Sequence, residues 1–192
     1  MDDITVKSRY LEQIELQNLE KNNSQEKLIK QLDSLKKSLE KPGYFKRSTK
    51  FINSIVNFKK LSNIRGLYIH GGVGVGKSML MDLFFETIKI KGKRRVHFHE
   101  FMSEVHENIN VARSNKSLDP IREVALRIVK DNDLICLDEM QINDVADAMI
   151  VGRLFEHFFK KNLIIVTTSN IAPKDLYKDG LNRQLFLPFI NL

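Results

Sequence analysis

Three features that would each define a class of protein are scarce or missing in this sequence. Its only cysteine, Cys136, excludes an internal disulfide, and the apolar run around it predicts a small core side chain rather than a reactive thiol. No apolar run approaches the length needed to cross a bilayer. The N-terminus lacks a basic start followed by an apolar stretch, so no secretory signal is visible and we expect a cytosolic, bacterial protein.

The composition is that of one globular core. The chain has 192 residues, of which 42% are hydrophobic and 29% are charged, which differs from a disordered or a membrane composition. The formal net charge of +7 is compatible with a nucleic acid, an anionic membrane or nucleotide phosphates as the partner. The charge alone therefore does not choose among these functions.

The first part of the chain predicts a helical extension. Asn23 followed by Glu26 resembles a capping box at a helix start, and the Pro-Gly pair at 42–43 predicts the helix end. Between them, four leucines at helical spacing form one apolar stripe: Leu28, Leu32, Leu35 and Leu39. We expect residues 1–60 to pack on the flank of a core domain at 61–192, and docking of a partner is the alternative.

From residue 64 onward, short apolar runs alternate with helical patterns. Strands are predicted over residues 66–70, 95–98, 134–137 and 163–168. Helices are predicted over residues 79–88, 100–113, 120–130, 145–161 and 173–177. Strands that alternate with helices predict an α/β fold, in which helices flank a parallel sheet and ligands bind at the carboxyl ends of the strands.

A glycine-rich segment between the first predicted strand and its helix matches the P-loop pattern G-x-x-x-x-G-K-[ST] in full. Its glycines let backbone N–H groups converge on an anion, and the following helix adds its positive end. Lys77 supplies a mobile positive charge for the β- and γ-phosphates, and Ser78 offers a hydroxyl to Mg²⁺. We expect Mg-ATP to bind to Gly71, Gly72, Val73, Gly74, Val75, Gly76, Lys77, Ser78 and Met79.

Two adjacent acids follow the third predicted strand. Carboxylates at the end of a buried strand are costly unless a cation or a water network uses them. Because the P-loop lies about 60 residues upstream, Asp138 is predicted to hold the Mg²⁺ shell and Glu139 to polarise the attacking water.

Two further polar residues are candidates on less evidence. Asn170 follows the fourth predicted strand and could orient the lytic water near the γ-phosphate, although an asparagine after a strand is usually a turn former. Arg183 could reach the nucleotide of a neighbouring subunit, although composition alone favours a solvated surface arginine.

Histidines and a basic cluster suggest two other kinds of site. His97 and His99 lie two residues apart, and no matched set of ligands accompanies them or His106. Structural or surface histidines are therefore favoured over zinc ligands. The basic cluster at 91–95 could contact nucleic acid phosphates, but it lacks interleaved aromatic residues, which favours a solvated loop.

Beyond these motifs, the chain resembles the ZapE/LACE-type family of AAA+ ATPases, which includes bacterial cell-division ATPases and their mitochondrial relatives. The resemblance spans about residues 63–192 and is carried by 66–84, 96–102, 138–141, 144–150, 168–170 and 186–190. Ser78 stands where the family commonly has Thr, and Met140 where it usually has Phe. The first 60 residues match only loosely.

This resemblance implies an AAA+ type of P-loop fold and particular site roles. Lys77 and Ser78 would be the Walker A pair, and Asp138 and Glu139 the Walker B acids. Asn170 would be sensor 1.

The family also implies assembly and partners. Such ATPases act as rings, in which Arg183 would be the arginine finger that completes a neighbour's site. The expected partner is a protein at the division site or at the inner membrane, where the chain would be peripheral, and the family-specific stretches argue against nucleic acid.

The family pattern continues past residue 192 through a fifth strand and a helical region. The chain is therefore expected to be truncated, with the edge of its P-loop strand unpaired and part of the nucleotide lid missing. Three functions stay open: an ATPase that remodels a protein partner, a hydrolytically inactive ATP-binding module, and a DNA-associated ATPase of the helicase-loader kind. The resemblance favours the first.

Overall fold

The computed structural model describes residues 4–17, 22–41 and 65–191. The helices in these ranges are α1 (Val6–Gln17), α2 (Asn23–Leu39), α3 (Lys77–Thr87), α4 (Phe98–Ser114), α5 (Pro120–Asp131), α6 (Val145–Lys160) and α7 (Arg183–Ile190), and a 3₁₀ turn covers Pro173–Asp175. The strands are β1 (Gly66–His70), β2 (Lys93–His97), β3 (Leu134–Asp138) and β4 (Ile164–Ser169).

The four strands form one parallel sheet in the order β1-β4-β3-β2. The central strands β3 and β4 are buried along their whole length. Gly66 begins β1 opposite Ile165 with a φ of 144°, and a Cβ there would lie 1.7 Å from the Ile165 carbonyl oxygen, so this close approach requires glycine. The predicted α/β fold, a parallel sheet flanked by helices, is confirmed.

Alternate residues of the central strands point to opposite faces and build two cores. Cys136 and Val166 pack on the face covered by α1, α2 and α3, whereas Ile135 and Leu137 pack on the face covered by α4, α5, α6 and α7. Cys136 is fully buried, and burial raises the pKa of its thiol to about 12. It is a core residue, as predicted.

Helix α2 lies on the first of these faces beside α3, as expected for a flanking extension. Three leucines of its stripe are buried and the fourth, Leu28, is partly buried. The predicted cap is wrong by one residue: Asn22 rather than Asn23 precedes the helix, and its Oδ1 accepts a hydrogen bond from Ser24 N at 2.8 Å. The helix ends at Leu39, and the Pro-Gly pair at 42–43 lies outside the described residues.

Helix α1 was not predicted, because its apolar periodicity is weak. Val6 and Tyr10 are nevertheless buried in the same core. The Val6 N–H donates to Asp33 Oδ1 of α2 at 2.8 Å, which ties the start of α1 to α2. The division into residues 1–60 and 61–192 stays a prediction, because its boundary falls outside the described residues.

After residue 90, two predictions need correction and one helix was missed. The second strand begins at Lys93 rather than 95, so most of the basic cluster lies in a strand and not in a loop. The predicted helix over 173–177 is a single 3₁₀ turn. Helix α7 was not predicted; it contains Pro188, which breaks the usual helical pattern, and it is held by packing of Phe189 against Phe155 of α6, with ring centroids 5.2 Å apart.

No helix within the described ranges is both long and apolar enough to cross a bilayer.

Candidate active site

The P-loop joins the end of β1 to α3, which begins at Lys77. Gly74 and Gly76 have φ of 79° and 81°, a left-handed conformation that glycine adopts without strain. Gly76 directly precedes the helix, and the N-terminus of a helix presents free backbone N–H groups and a partial positive charge. The loop geometry therefore fits the predicted phosphate site.

The Lys77 ammonium folds back onto this loop. Its Nζ donates to the carbonyl oxygens of Gly71 at 2.9 Å and Gly72 at 2.6 Å, and to Asn170 Oδ1 at 2.9 Å. An ammonium has three N–H donors, so all of them are engaged. Lys77 must therefore exchange at least one partner to contact a phosphate, and Asn170 is the side chain that holds it from the neighbouring strand.

Asp138, at the end of β3, is the centre of a polar cluster. Its Oδ1 accepts hydrogen bonds from Ser78 Oγ at 2.8 Å and Thr168 Oγ1 at 2.5 Å, and its Oδ2 accepts one from Arg95 Nη2 at 2.6 Å. Burial by itself would raise the pKa of this carboxyl group. The hydrogen bonds from Thr168 and Ser78, and the charge of Arg95, outweigh burial and hold the pKa below its ordinary value. Asp138 is therefore ionised at neutral pH.

The residues at this position fit a Mg²⁺ ion held together with phosphates. Ser78 and Asp138 offer adjacent hydroxyl and carboxylate oxygens, the donors that Mg²⁺ prefers, while leaving most of its coordination to phosphate and water. Within residues 4–17, 22–41 and 65–191, no group of three or more His, Cys, Asp or Glu side chains forms a site for a metal ion. A metal here would depend on the nucleotide for its remaining ligands.

Glu139 follows in a strained turn. It has a φ of 58°, which costs a non-glycine residue about 1–3 kcal/mol. Thr168 holds the turn, because its Oγ1 accepts from Glu139 N at 2.9 Å and its carbonyl accepts from Met140 N at 2.7 Å. The turn leaves the Glu139 side chain exposed at the carboxyl end of the sheet, next to buried Asp138.

Most of the predicted site residues line one open cavity of about 650 Å³. Its lining residues are Val73, Gly74, Gly76, Lys77, Ser78, Met79, Glu139, Thr168, Ser169 and Asn170. Asp138 does not line the cavity itself, but it accepts a hydrogen bond from Ser78, which does. Arg183 is not part of the cavity; it begins α7, and its Nη2 donates to the Lys174 carbonyl at 2.5 Å.

Three residues of this region were missed in the sequence. Thr168 and Arg95 both bind Asp138, as described above. Gln25 of α2 donates from Nε2 to the Val75 carbonyl at 3.1 Å, while its Oε1 accepts from Tyr10 OH at 2.6 Å. The N-terminal helices therefore contact the P-loop directly, which no local sequence pattern indicates; the alternation of the basic residues along β2 could have indicated Arg95.

The three histidines lie on two different elements. His97 ends β2, whereas His99 lies in the first turn of α4, so the two do not share one strand. Their ring centroids are 5.9 Å apart. His106 is elsewhere, where its Nε2 lies 2.7 Å from Asp147 Oδ1 and so links α4 to α6.

The P-loop follows an edge strand of the described sheet, β4 lies next to it, and the acid pair ends the strand after that. This arrangement defines a P-loop domain of the AAA+ type. The fold is shared with the crystal structure of DnaI, with a TM-score of 0.57 and 16% identity over 92% of this chain and 82% of that one. It is also shared with AMPPCP-bound DnaA from Aquifex aeolicus, with a TM-score of 0.55 and 16% identity over 90% and 46%.

The family follows from the sequence comparisons. A family model described as AFG1-like ATPase matches residues 4–192, and the chain belongs to this family. It is 45% identical over 137 residues to lactation elevated protein 1 homolog B of Danio rerio, covering 67% of this chain and 27% of that protein. It is 42% identical over 132 residues to cell division protein ZapE of Escherichia coli K12, covering 69% and 35%. The chain thus matches about a quarter to a third of these relatives' length.

Proposed function

We propose that the chain binds Mg-ATP and hydrolyses it to ADP and phosphate. The observation that carries this proposal is the contact between Ser78 Oγ and Asp138 Oδ1 at 2.8 Å, at the edge of the cavity that Lys77, Glu139 and Asn170 line. Two sequence motifs 60 residues apart converge there, which supports the proposal because phosphoryl transfer needs Mg²⁺ held beside the phosphate-binding loop.

Each residue has a role that its position supports. The P-loop backbone cradles the phosphates, and Lys77 neutralises their charge when it exchanges a carbonyl partner for a phosphate oxygen. Ser78 and Asp138 would hold Mg²⁺, which would supply positive charge to the transferred phosphoryl group. The exposed carboxylate of Glu139 accepts a proton from the attacking water, and Asn170 orients that water.

The test separates binding from hydrolysis. Binding of a fluorescent ATP analogue and release of phosphate are measured for the unchanged chain, Lys77→Ala, Glu139→Gln and the control Glu107→Gln, an exposed acid on α4. We expect Lys77→Ala to lose binding, Glu139→Gln to bind but not turn over, and the control to do both. Unchanged affinity in Lys77→Ala would refute the proposed phosphate site. Binding without turnover in the unchanged chain would leave an inactive ATP-binding module.

We further propose a ring in which Arg183 serves a neighbouring subunit. Its position outside the chain's own cavity supports this, because a finger must act on another copy. Turnover per subunit should rise with protein concentration, and Arg183→Ala should abolish the rise while leaving binding intact. A concentration-independent rate would contradict shared sites.

Remodelling of a protein partner, at the division site or at the inner membrane, is proposed on the resemblance to a protein named for cell division. Co-purification with division proteins in an ATP-dependent manner, lost in Lys77→Ala, is the expected result. Recovery of the same partners by Lys77→Ala would contradict it.

The DNA-associated alternative receives no support from the basic cluster at 91–95. Lys93 Nζ donates to the Phe85 and Ile88 carbonyls at 2.5 and 2.9 Å, and Arg94 is paired with Glu104. Both cations are thus engaged by acceptors of the chain itself. DNA binding at low ionic strength that weakens steeply as salt is added would support this alternative.

A further inference from the structure

The Arg95 side chain lies between two carboxylates that come from different elements. Its Nε donates to Asp82 Oδ1 of α3 at 2.8 Å, and its Nη2 donates to Asp138 Oδ2 of β3 at 2.6 Å. The Arg95 side chain is 25% exposed and that of Asp138 3% exposed, so this ion pair is largely withdrawn from solvent. One guanidinium therefore neutralises a buried acid and is itself held by a second acid.

The two oxygens of Asp138 are divided between different partners. Oδ1 accepts hydrogen bonds from the hydroxyls of Ser78 and Thr168, whereas Oδ2 accepts one from the Arg95 guanidinium. His97 is also close, with Nε2 at 3.5 Å from Arg95 Nη1 and Nδ1 at 4.0 Å from Asp138 Oδ2. A divalent cation that approaches Asp138 thus meets a fixed cation on the same carboxylate.

The positive charge of Arg95 affects how a divalent metal ion can bind to Asp138. Without the guanidinium, Asp82 and Asp138 would face one another as two carboxylates, an arrangement that attracts a divalent cation. With it, the group carries one net negative charge, and any metal bound to Asp138 alone is repelled by a positive charge a few ångströms away. A metal that arrives with the phosphates of a nucleotide brings compensating negative charge and does not meet this barrier.

We propose that Arg95 is a built-in counter-cation for Asp138, a positioning residue that prevents divalent metal from binding before nucleotide. Metal binding at this site is thereby conditional on the nucleotide. The inference rests on the proposed function for the identity of the site.

The test is metal binding to the full chain without nucleotide, measured with Mn²⁺ by electron paramagnetic resonance of the free ion. The variants are Arg95→Met, the double variant Arg95→Met with Asp138→Asn, and the control Arg94→Met. Arg94 is the matched control because it is adjacent on β2, is also paired with an acid, and contacts Glu104 rather than the Asp138 cluster.

We expect the unchanged chain and Arg94→Met to bind Mn²⁺ weakly, and Arg95→Met to bind it on the order of tenfold to a hundredfold more tightly. The double variant should lose this gain, because Asp138 is the ligand exposed by the change. Arg95→Lys should restore the weak binding, since a cation is retained.

Equal Mn²⁺ affinity in the unchanged chain and Arg95→Met would overturn the proposal, and so would tight nucleotide-free binding by the unchanged chain. If Arg95→Met does not fold, as judged by its circular dichroism melt, Arg95→Gln takes its place. Tight nucleotide-free binding of Mn²⁺ by the unchanged chain would still overturn the proposal. Failure of the proposed function would appear separately, as absence of ATP-analogue binding in the unchanged chain, whatever the Mn²⁺ result.

Discussion

Replacing Thr168 by valine should remove one hydroxyl that supports both acids of the site. Thr168 is 1% exposed; its Oγ1 donates to the ionised Asp138 at 2.5 Å and accepts from Glu139 N at 2.9 Å. A hydrogen bond to a charged group contributes about 1.5–3 kcal/mol, and a backbone N–H left without an acceptor costs about 1 kcal/mol more. The free energy of unfolding should therefore fall by about 2–4 kcal/mol at neutral pH.

The neighbouring threonine provides a control of the same size. Thr167 is also buried, and its Oγ1 donates to the neutral Leu137 carbonyl at 2.9 Å. Thr167→Val should cost only about 0.5–1.5 kcal/mol, the contribution of an ordinary hydrogen bond, and the cost should not depend on pH.

The pH dependence distinguishes the two threonines. The folded-state pKa of Asp138 is lowered, so its contribution to stability is present above its unfolded pKa of about 3.9 and is lost as the pH falls through the folded value. Thr168→Val raises the folded pKa toward the unfolded one, so the cost of this substitution should be full at neutral pH and shrink below about pH 4. Urea unfolding followed by circular dichroism at about pH 7 and about pH 3.5 measures both variants. Equal costs for the two threonines, or a Thr168→Val cost that does not change with pH, would refute the reasoning.

Three other predictions test the fold around the site. Gly66→Ala should lower the melting temperature by several degrees or prevent folding, because its Cβ would meet the Ile165 carbonyl oxygen at 1.7 Å; an unchanged melt would show that β1 and β4 are not so close. Cys136 should react with an aromatic disulfide reagent only in denaturant, since it is fully buried and burial raises its pKa to about 12; rapid labelling of the native chain would contradict this. Asn22→Ala should cost about 0.5–2 kcal/mol in urea unfolding and Asn23→Ala only a few tenths, and the reverse order would assign the cap to the wrong asparagine.

The parts of the fold that were predictable are those with a local pattern. The P-loop has a fixed spacing, and the α/β sheet was predicted from four short runs that alternate with helical patterns. The helix starts predicted at residues 120 and 145 are also observed, and Asp119 and Asp144 cap them by accepting hydrogen bonds from the backbone N–H groups of Arg122 and Asp147. A cap of this kind can be predicted from sequence because the donor and the acceptor are only three residues apart.

The features that were not predictable depend on residues that are distant in the chain. Arg95 lies in a basic run typical of a solvated loop, but its partners are Asp82 and Asp138, 13 and 43 residues away. The double role of Thr168 depends on the pairing of β4 beside β3, which only the sheet order supplies. The contact of Gln25 with the P-loop spans 50 residues between elements with no shared pattern. Tertiary position, and not residue type, assigns these roles.

The order of the strands also has a consequence for how the chain acquires this structure. Among the described strands, β1 pairs only with β4, and roughly a hundred residues separate the paired positions. During synthesis, the strand that carries the P-loop is made early but has no partner until β4 has left the ribosome, so its pairing belongs to the slow, non-local part of folding. Asn170 directly follows β4 and contacts Lys77. The pairing of β4 with β1 therefore also brings the ammonium and its amide partner together, so the candidate site is assembled in the same step.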